Sequence, residues 1–345
     1  MQCTNCRAEI IAGELFCGEC GTPVAAAPQA PQQFNAAPQA ALPPTVGAWQ
    51  VAPTQLAPMA AMPPQFGSYS AEISRQNPGC LIFLIDQSGS MNEPIAGGTG
   101  EEKKRVVADA VNRLLYNCVL RCTKEDGVRP YFDVGVWTYG GNGVQRAFGT
   151  DLVSVRDIAE RPLRTEVRQR RVPDGAGGVY EEEFQLPVWF DPVGSGTTPM
   201  HAAFSSVVAP LQAWINQHQR SFSPIVINLT DGVYSDATPA PVAWNLMSLC
   251  TSDGNLLLFN CHISKQGGAV VPFPNDAQAA GLEGFARELY DISSPLPPPM
   301  SRLAQAKGYQ LEHGARGYAF NADLVTMIDF LDIGTRAVQD RMEKV

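Results

Sequence analysis

Residues 81–91 read Leu81-Ile82-Phe83-Leu84-Ile85-Asp86-Gln87-Ser88-Gly89-Ser90-Met91. Five consecutive apolar residues lead into an acid and two hydroxyls at alternate positions. A run of that length, bounded by Gly79 and Gly89, reads as a strand buried on both faces. At its carboxyl end Asp86, Ser88 and Ser90 offer three oxygen groups within five residues. Hard cations such as Mg²⁺ take oxygen ligands, and in open α/β sheets ligands bind outside the carboxyl ends of strands.

Outward from this run, strand-like and helix-like segments alternate. The coarse order is strand over 80–86, helix over 101–121, strand over 131–138, then a long irregular insertion over 141–193. Helix over 199–217, strand over 224–230, helix over 237–249 and strand over 255–263 follow. A Gly- and Pro-interrupted segment precedes a last helix over about 321–342. The first helix places Val106, Val107, Ala110, Leu114, Leu115 and Cys118 at helical spacing. Strands alternating with helices predict βαβ units, and so an α/β fold with a doubly wound, mostly parallel, Rossmann-like sheet.

The Asp86-x-Ser88-x-Ser90 pattern after a buried strand resembles the metal-ion-dependent adhesion site (MIDAS) of von Willebrand factor A (VWA) domains. Two further loops, in the order of that family, extend the resemblance. Gly194-Ser195-Gly196-Thr197-Thr198-Pro199-Met200 is similar to its threonine loop, and Ile225-Val226-Ile227-Asn228-Leu229-Thr230-Asp231-Gly232 to the strand that ends in its second aspartate. The resemblance implies that Ser88 and Ser90 bind a metal directly and that Thr198 joins them directly or through water. Asp86 and Asp231 would act through bridging waters. Two threonines are adjacent here, so Thr197 is the alternative ligand; the Thr198-Pro199 pair matches the family pattern. The implied ion is Mg²⁺, with Ca²⁺ or Mn²⁺ as alternatives, and its open position would take an Asp or Glu carboxylate of a partner protein. Such a site grips and does not catalyse. The resemblance further implies an adaptor in a multi-component stress or defence-type system, tellurium resistance included, beside an AAA+ ATPase or a kinase–phosphatase pair.

The amino terminus has a different character. Cys3-x-x-Cys6 and Cys17-x-x-Cys20 are separated by ten residues, the spacing of two zinc knuckles that present four thiolates to one Zn²⁺. This unit over 1–22 resembles a small zinc ribbon, and metal binding would supply its folding free energy. A redox dithiol would need a βαβ context, which is missing. With Arg7 set against Glu9, Glu14 and Glu19, a protein-contacting or structural role is favoured over nucleic acid. From Gly21 to Ala71 no residue is charged and Ala, Pro and Gln dominate, so 23–72 reads as a disordered linker. The VWA-like domain is then expected over 73–345, with the 141–193 insertion inside it.

Composition narrows the function classes. The net charge of −9 and pI near 5.0 argue against nucleic-acid binding, whose footprint is basic. No apolar run approaches the ~18 residues of a membrane span, and no secretory signal is visible. Nine cysteines without an export signal fit a reducing cytoplasm. The competing class is a metal-dependent phosphohydrolase. Against it, no Asp-x-Asp nucleophile motif, Gly-rich phosphate loop with Lys or Cys/His pair at a strand end is present. A third class is a nucleic-acid-associated zinc-ribbon protein.

Remaining features have structural readings. Arg161, Arg164, Arg168, Arg170 and Arg171 precede Glu181-Glu182-Glu183 across the turn signal Asp174–Gly178. Folding there sets Arg170 near Glu182 in a charge-paired hairpin that projects from the sheet. Cys118 and Cys122 share a helical face, and Cys80, Cys250 and Cys261 read as core thiols. His201 follows the threonine loop as a peripheral polar contact, and Asp236 reads as a helix cap.

Overall fold

The computed structural model describes residues 66–96, 100–173, 179–263 and 269–339. Contacts divide the chain into Met1–Ala61 and Met62–Val345, and the described residues all belong to the second unit.

Its elements are β1 (Gly79–Gln87), α1 (Lys103–Cys122), β2 (Phe132–Gly140), β3 (Gly143–Arg146), β4 (Val153–Ser154), α2 (Val155–Glu160), β5 (Arg164–Pro173) and β6 (Val179–Val188). Then come α3 (Met200–Gln217), β7 (Ile225–Thr230), α4 (Ala240–Ser248), β8 (Leu257–Ile263), β9 (Val271–Pro272), α5 (Gly284–Asp291), α6 (Pro298–Ala306), β10 (Tyr318–Ala322) and α7 (Leu324–Gln339). One eight-stranded sheet runs β9-β10-β8-β7-β1-β2-β3, with β4 also paired to β2. The five central strands are parallel. Strands β3, β4 and β9 pair antiparallel at the margins. The fold is therefore α/β, with a mostly parallel sheet covered by helices on both faces.

Alternation along β1 builds both layers. Leu81, Phe83 and Ile85 enter one core with Val107 and Leu115 of α1 and Met327 and Phe330 of α7. Cys80, Ile82 and Leu84 enter the other with Phe204 and Leu211 of α3 and Leu246 of α4. Burial of each such Leu, Ile or Phe stabilises the fold by about 1.5–3 kcal/mol. Apolar residues on both faces explain why the run is continuous rather than alternating.

The chain leaves β1 through α1 to β2 on one side, then returns through α3 to β7 on the other side of β1. Strand order reverses there, at the carboxyl ends of β1 and β7, the position at which open α/β sheets bind ligands. Asp86 and Asp231 lie at those ends.

Three expectations need correction. The described residues of 141–193 form regular elements: β3, β4 and α2 extend the sheet margin, and β5 and β6 pair antiparallel with Arg170 opposite Glu182 in register. That hairpin does not simply project, because its exit is tied to α1. The buried Asn112 side chain accepts from Trp189 N at 2.9 Å and donates to Phe190 O at 3.2 Å. Second, the Gly- and Pro-interrupted segment contains α5, α6 and β10. Its short elements lack the length that makes a period visible, and a proline starts α6. Third, the packed unit begins before residue 73. Tyr69 and Ile73 are buried, and Ser68 N and Tyr69 N donate to Asp253 O at 3.0 and 3.3 Å. A segment without charge can still order when its backbone groups find partners.

Candidate metal centre

The site is assembled by three loops at the carboxyl ends of β1 and β7. The first turns sharply after β1: Ser88 N donates to Asp86 Oδ1 at 2.8 Å, and a short 3₁₀ turn over Gly89–Asn92 follows. This brings Ser88 Oγ to 3.1 Å from Ser90 Oγ. The second loop is pinned to the first, since Gly89 N donates to Gly196 O at 3.0 Å and Ser195 N to Gln87 O at 2.8 Å. Gly196 has φ +67°, and a Cβ there would meet Gly141 Cα at 2.3 Å. Only glycine fits that crossing. Thr198 is buried behind it, and Thr197 is exposed. Thr198 N donates to Ser235 Oγ at 3.0 Å, and Ser235 N donates back to Thr198 O at 2.9 Å. The third loop supplies Asp231, whose Oδ1 accepts from Ser90 Oγ at 2.7 Å.

Gly232 leaves room between the hydroxyls. A Cβ at that position would lie 3.8 Å from both Ser90 Oγ and Thr198 Oγ1. Ser88, Ser90 and Asp231 are joined by side-chain hydrogen bonds, Asp86 is tied to the Ser88 amide, and Thr198 Oγ1 and Ser90 Oγ both face Gly232. The donor set is all hard oxygen, suited to a divalent cation such as Mg²⁺. At metal–oxygen distances of 2.0–2.1 Å, adjacent octahedral ligands sit about 3 Å apart. The Ser88–Ser90 separation already matches that spacing.

Both carboxylates are buried. Asp86 is fully inaccessible, and burial, reinforced by the nearby charge of Asp231, pushes its carboxyl up to about 7. Hydrogen bonds from Ser88 and from Thr230 Oγ1 (2.8 Å to Oδ2) oppose this. The second oxygen of Asp231 meets a residue that the sequence analysis passed over: Lys103 Nζ lies 2.6 Å from Oδ2. Lys103 is only 2% exposed and also lies 3.5 Å from Glu93 Oε2. A signal was present, because Lys103, Lys104 and Arg105 open α1 and its first turn holds no acid. Cations there oppose the helix dipole and call for a specific partner.

Other candidates fall at the margin or elsewhere. Asp236 caps α3, accepting from His201 N at 3.1 Å and Ala202 N at 2.9 Å. The His201 ring contacts Thr238 O at 2.9 Å, which makes it a peripheral contact. Cys3, Cys6, Cys17 and Cys20 lie outside the described residues, as does most of the expected linker. Among the described residues, no helix is long and apolar enough to cross a membrane.

No known family's sequence profile matches the chain, and no curated protein is significantly similar to it. Solved structures with a related arrangement include proximal thread matrix protein 1 of the mussel byssus. It is 17% identical with a TM-score of 0.35, over 65% of this chain and 42% of that one. The vWF domain of the type V pili tip protein Mfa5 from Porphyromonas gingivalis is 12% identical with a TM-score of 0.26, over 46% and 39%. The PilB minor pilin from Streptococcus sanguinis is 10% identical with a TM-score of 0.39, over 77% and 62%. The chain spans less than two thirds of the length of each of these structures.

Proposed function

We propose that this chain is a metal-dependent protein-binding adaptor whose VWA-type site grips a carboxylate of its partner. One observation carries the reading. Hydroxyls of Ser88, Ser90 and Thr198 share one cluster with the carboxylates of Asp86 and Asp231 at the point where strand order reverses. Ser88, Ser90 and Thr198 would present the direct ligands, while Asp86 and Asp231 would hold bridging waters. Mg²⁺ held there would supply a Lewis-acidic position that the neutral hydroxyls leave electron-poor, and an Asp or Glu of another protein would complete it. In this reading the site's residues orient the ion and exclude solvent, and its oxygens act as ligands and hydrogen-bond partners.

The test is affinity capture with the intact chain and with Ser88→Ala/Ser90→Ala, each with and without EDTA. The expected result is a partner lost in both the variant and the chelated wild type. A partner set unchanged by either removes the proposed role.

We further propose that residues 1–22 hold one structural Zn²⁺ through Cys3, Cys6, Cys17 and Cys20, and that 23–65 tether this unit. Two weak contacts on one tether would then act together through effective concentration. Native mass spectrometry should show one zinc that Cys3→Ser/Cys17→Ser loses; its absence in the wild type removes the assignment. A reducing cytoplasm is the proposed location. Support comes from Cys80, Cys118 and Cys261, thiols buried in the core and engaged in no disulfide. An AAA+ ATPase or kinase–phosphatase system of the stress type is the proposed setting.

A further inference from the structure

The unexplained member of the site is Lys103. Burying an ammonium is costly unless a charge partner and hydrogen bonds compensate. Here the ammonium is almost wholly enclosed, at the first residue of α1, where the helix dipole opposes it. Its compensation is Asp231 at 2.6 Å, with Glu93 at 3.5 Å. The side chain of Asp231 is itself fully buried, and its other oxygen receives Ser90, one step from Ser88. The lysine therefore sits one carboxylate away from the hydroxyl pair. The loop that carries Glu93 is folded back onto the start of α1, with Lys103 N donating to Glu93 O at 2.8 Å. Lys103 is thus held by backbone as well as by charge.

We infer that Lys103 is the resident cation of this site, neutralising Asp231 when no divalent metal is bound and competing with the metal for that carboxylate. The inference rests on the metal-binding reading above. Its logic is electrostatic. Two buried carboxylates and three hydroxyls would repel or collapse without a counter-charge. Lys103 supplies one from within the chain, so the loops stay assembled in the metal-free protein. The same charge opposes a second cation nearby, because like charges in a buried, low-dielectric site interact strongly. Metal affinity is thereby held down, and the carboxylate of a partner tips the balance towards the loaded site.

The experiment titrates Mn²⁺ into the full chain, with free Mn²⁺ followed by electron paramagnetic resonance. Wild type, Lys103→Met, Lys103→Arg and Ser88→Ala/Ser90→Ala are compared. Lys103→Met keeps the length of the side chain and removes its charge, and it should bind Mn²⁺ at least tenfold more tightly than wild type. Lys103→Arg should stay close to wild type. Equal or weaker binding by Lys103→Met, with binding abolished in Ser88→Ala/Ser90→Ala, overturns the inference and leaves the metal site standing. Binding that survives Ser88→Ala/Ser90→Ala, or that is absent from every protein, overturns both. Tight binding confined to Lys103→Met supports the inference most directly. Should Lys103→Met fail to fold, acetic anhydride labelling of the wild-type chain decides. Lys103 should label several-fold faster with saturating Mn²⁺ than with EDTA, and equal rates overturn the inference.

Discussion

Thr230 Oγ1 donates a hydrogen bond to Asp86 Oδ2 at 2.8 Å, which joins the end of β7 to the end of β1 inside the sheet. Both residues are fully buried. The bond fixes the carboxylate in one orientation, with its other oxygen taken by Ser88 N.

Thr230→Val keeps the shape of the side chain and removes the donor. A hydrogen bond to a buried charged group contributes about 1.5–3 kcal/mol. The denaturation midpoint should fall by that equivalent with an unchanged m-value. The Asp86 carboxyl should also move further up, because the Thr230 bond lowers it. A change below about 0.5 kcal/mol would mean that the carboxylate is held by Ser88 alone.

Metal-free stability should depend on pH through Asp86. Its folded carboxyl is held at about 7, first by burial and then by the charge of Asp231, whereas an unfolded aspartate titrates near 3.9. The folded value is raised, so this contribution is fully present below about pH 4 and is lost as pH rises towards 7. Unfolding free energies in EDTA at several pH values should decline across that window for wild type. Asp86→Asn cannot ionise, and its curve should be flatter. Parallel curves for the two proteins would place the raised titration elsewhere.

Asn112 is the hinge pin of the inserted hairpin. Its two amide groups satisfy Trp189 N and Phe190 O, and Trp189 Nε1 donates to Ile158 O at 2.8 Å. Asn112→Ala leaves buried backbone groups unpaired, at a cost of about 1–3 kcal/mol each. Hydrogen exchange should quicken selectively over β5 and β6 while β1 and β7 stay protected. A uniform loss of protection would show that the hairpin is part of the global folding unit.

Legibility of the fold tracked how local its causes were. The β1 run declared a two-faced strand because burial on both sides leaves only apolar residues, and the paired charges on β5 and β6 anticipated the register of Arg170 with Glu182. The oxygen groups of the candidate site stand in short motifs at strand ends, which a sequence displays directly. Lys103 was not legible, because its partner Asp231 lies 128 positions away and a lysine in isolation reads as solvated. Strand β10 was hidden for a related reason. Its place beside β8 is set by pairing across the sheet and is interrupted by a register shift between Cys261 and Ile263, so no clean alternation marks it. The onset of packing before residue 73 was hidden by composition, since the ordering of Ser68 and Tyr69 comes from backbone partners that no side-chain pattern announces.

That onset yields the last prediction. Asp253 Oδ1 accepts from Ser68 Oγ, Ser70 N and Ala71 N at 3.2, 2.8 and 3.0 Å. Gly67 bridges Gly254 so closely that a Cβ on Gly67 would meet Gly254 Cα at 2.5 Å. This clamp sits just before β8, at the amino ends of the parallel strands, whereas Asp86 and Asp231 lie at the carboxyl ends. Gly67→Ala should therefore spring the clamp through a steric clash, worsened by a backbone φ of +141° that side chains rarely adopt. Asp253→Ala should do so by removing three acceptor contacts. In both variants limited proteolysis should cut between residues 66 and 73 at protease levels that spare the wild type, because Tyr69 and Ile73 lose their seats. Cation binding at Ser88 and Ser90 should be unchanged, because the clamp and the oxygen cluster lie at opposite ends of the sheet. Altered cation binding in Gly67→Ala would show that the amino-terminal strap and the site communicate through β1.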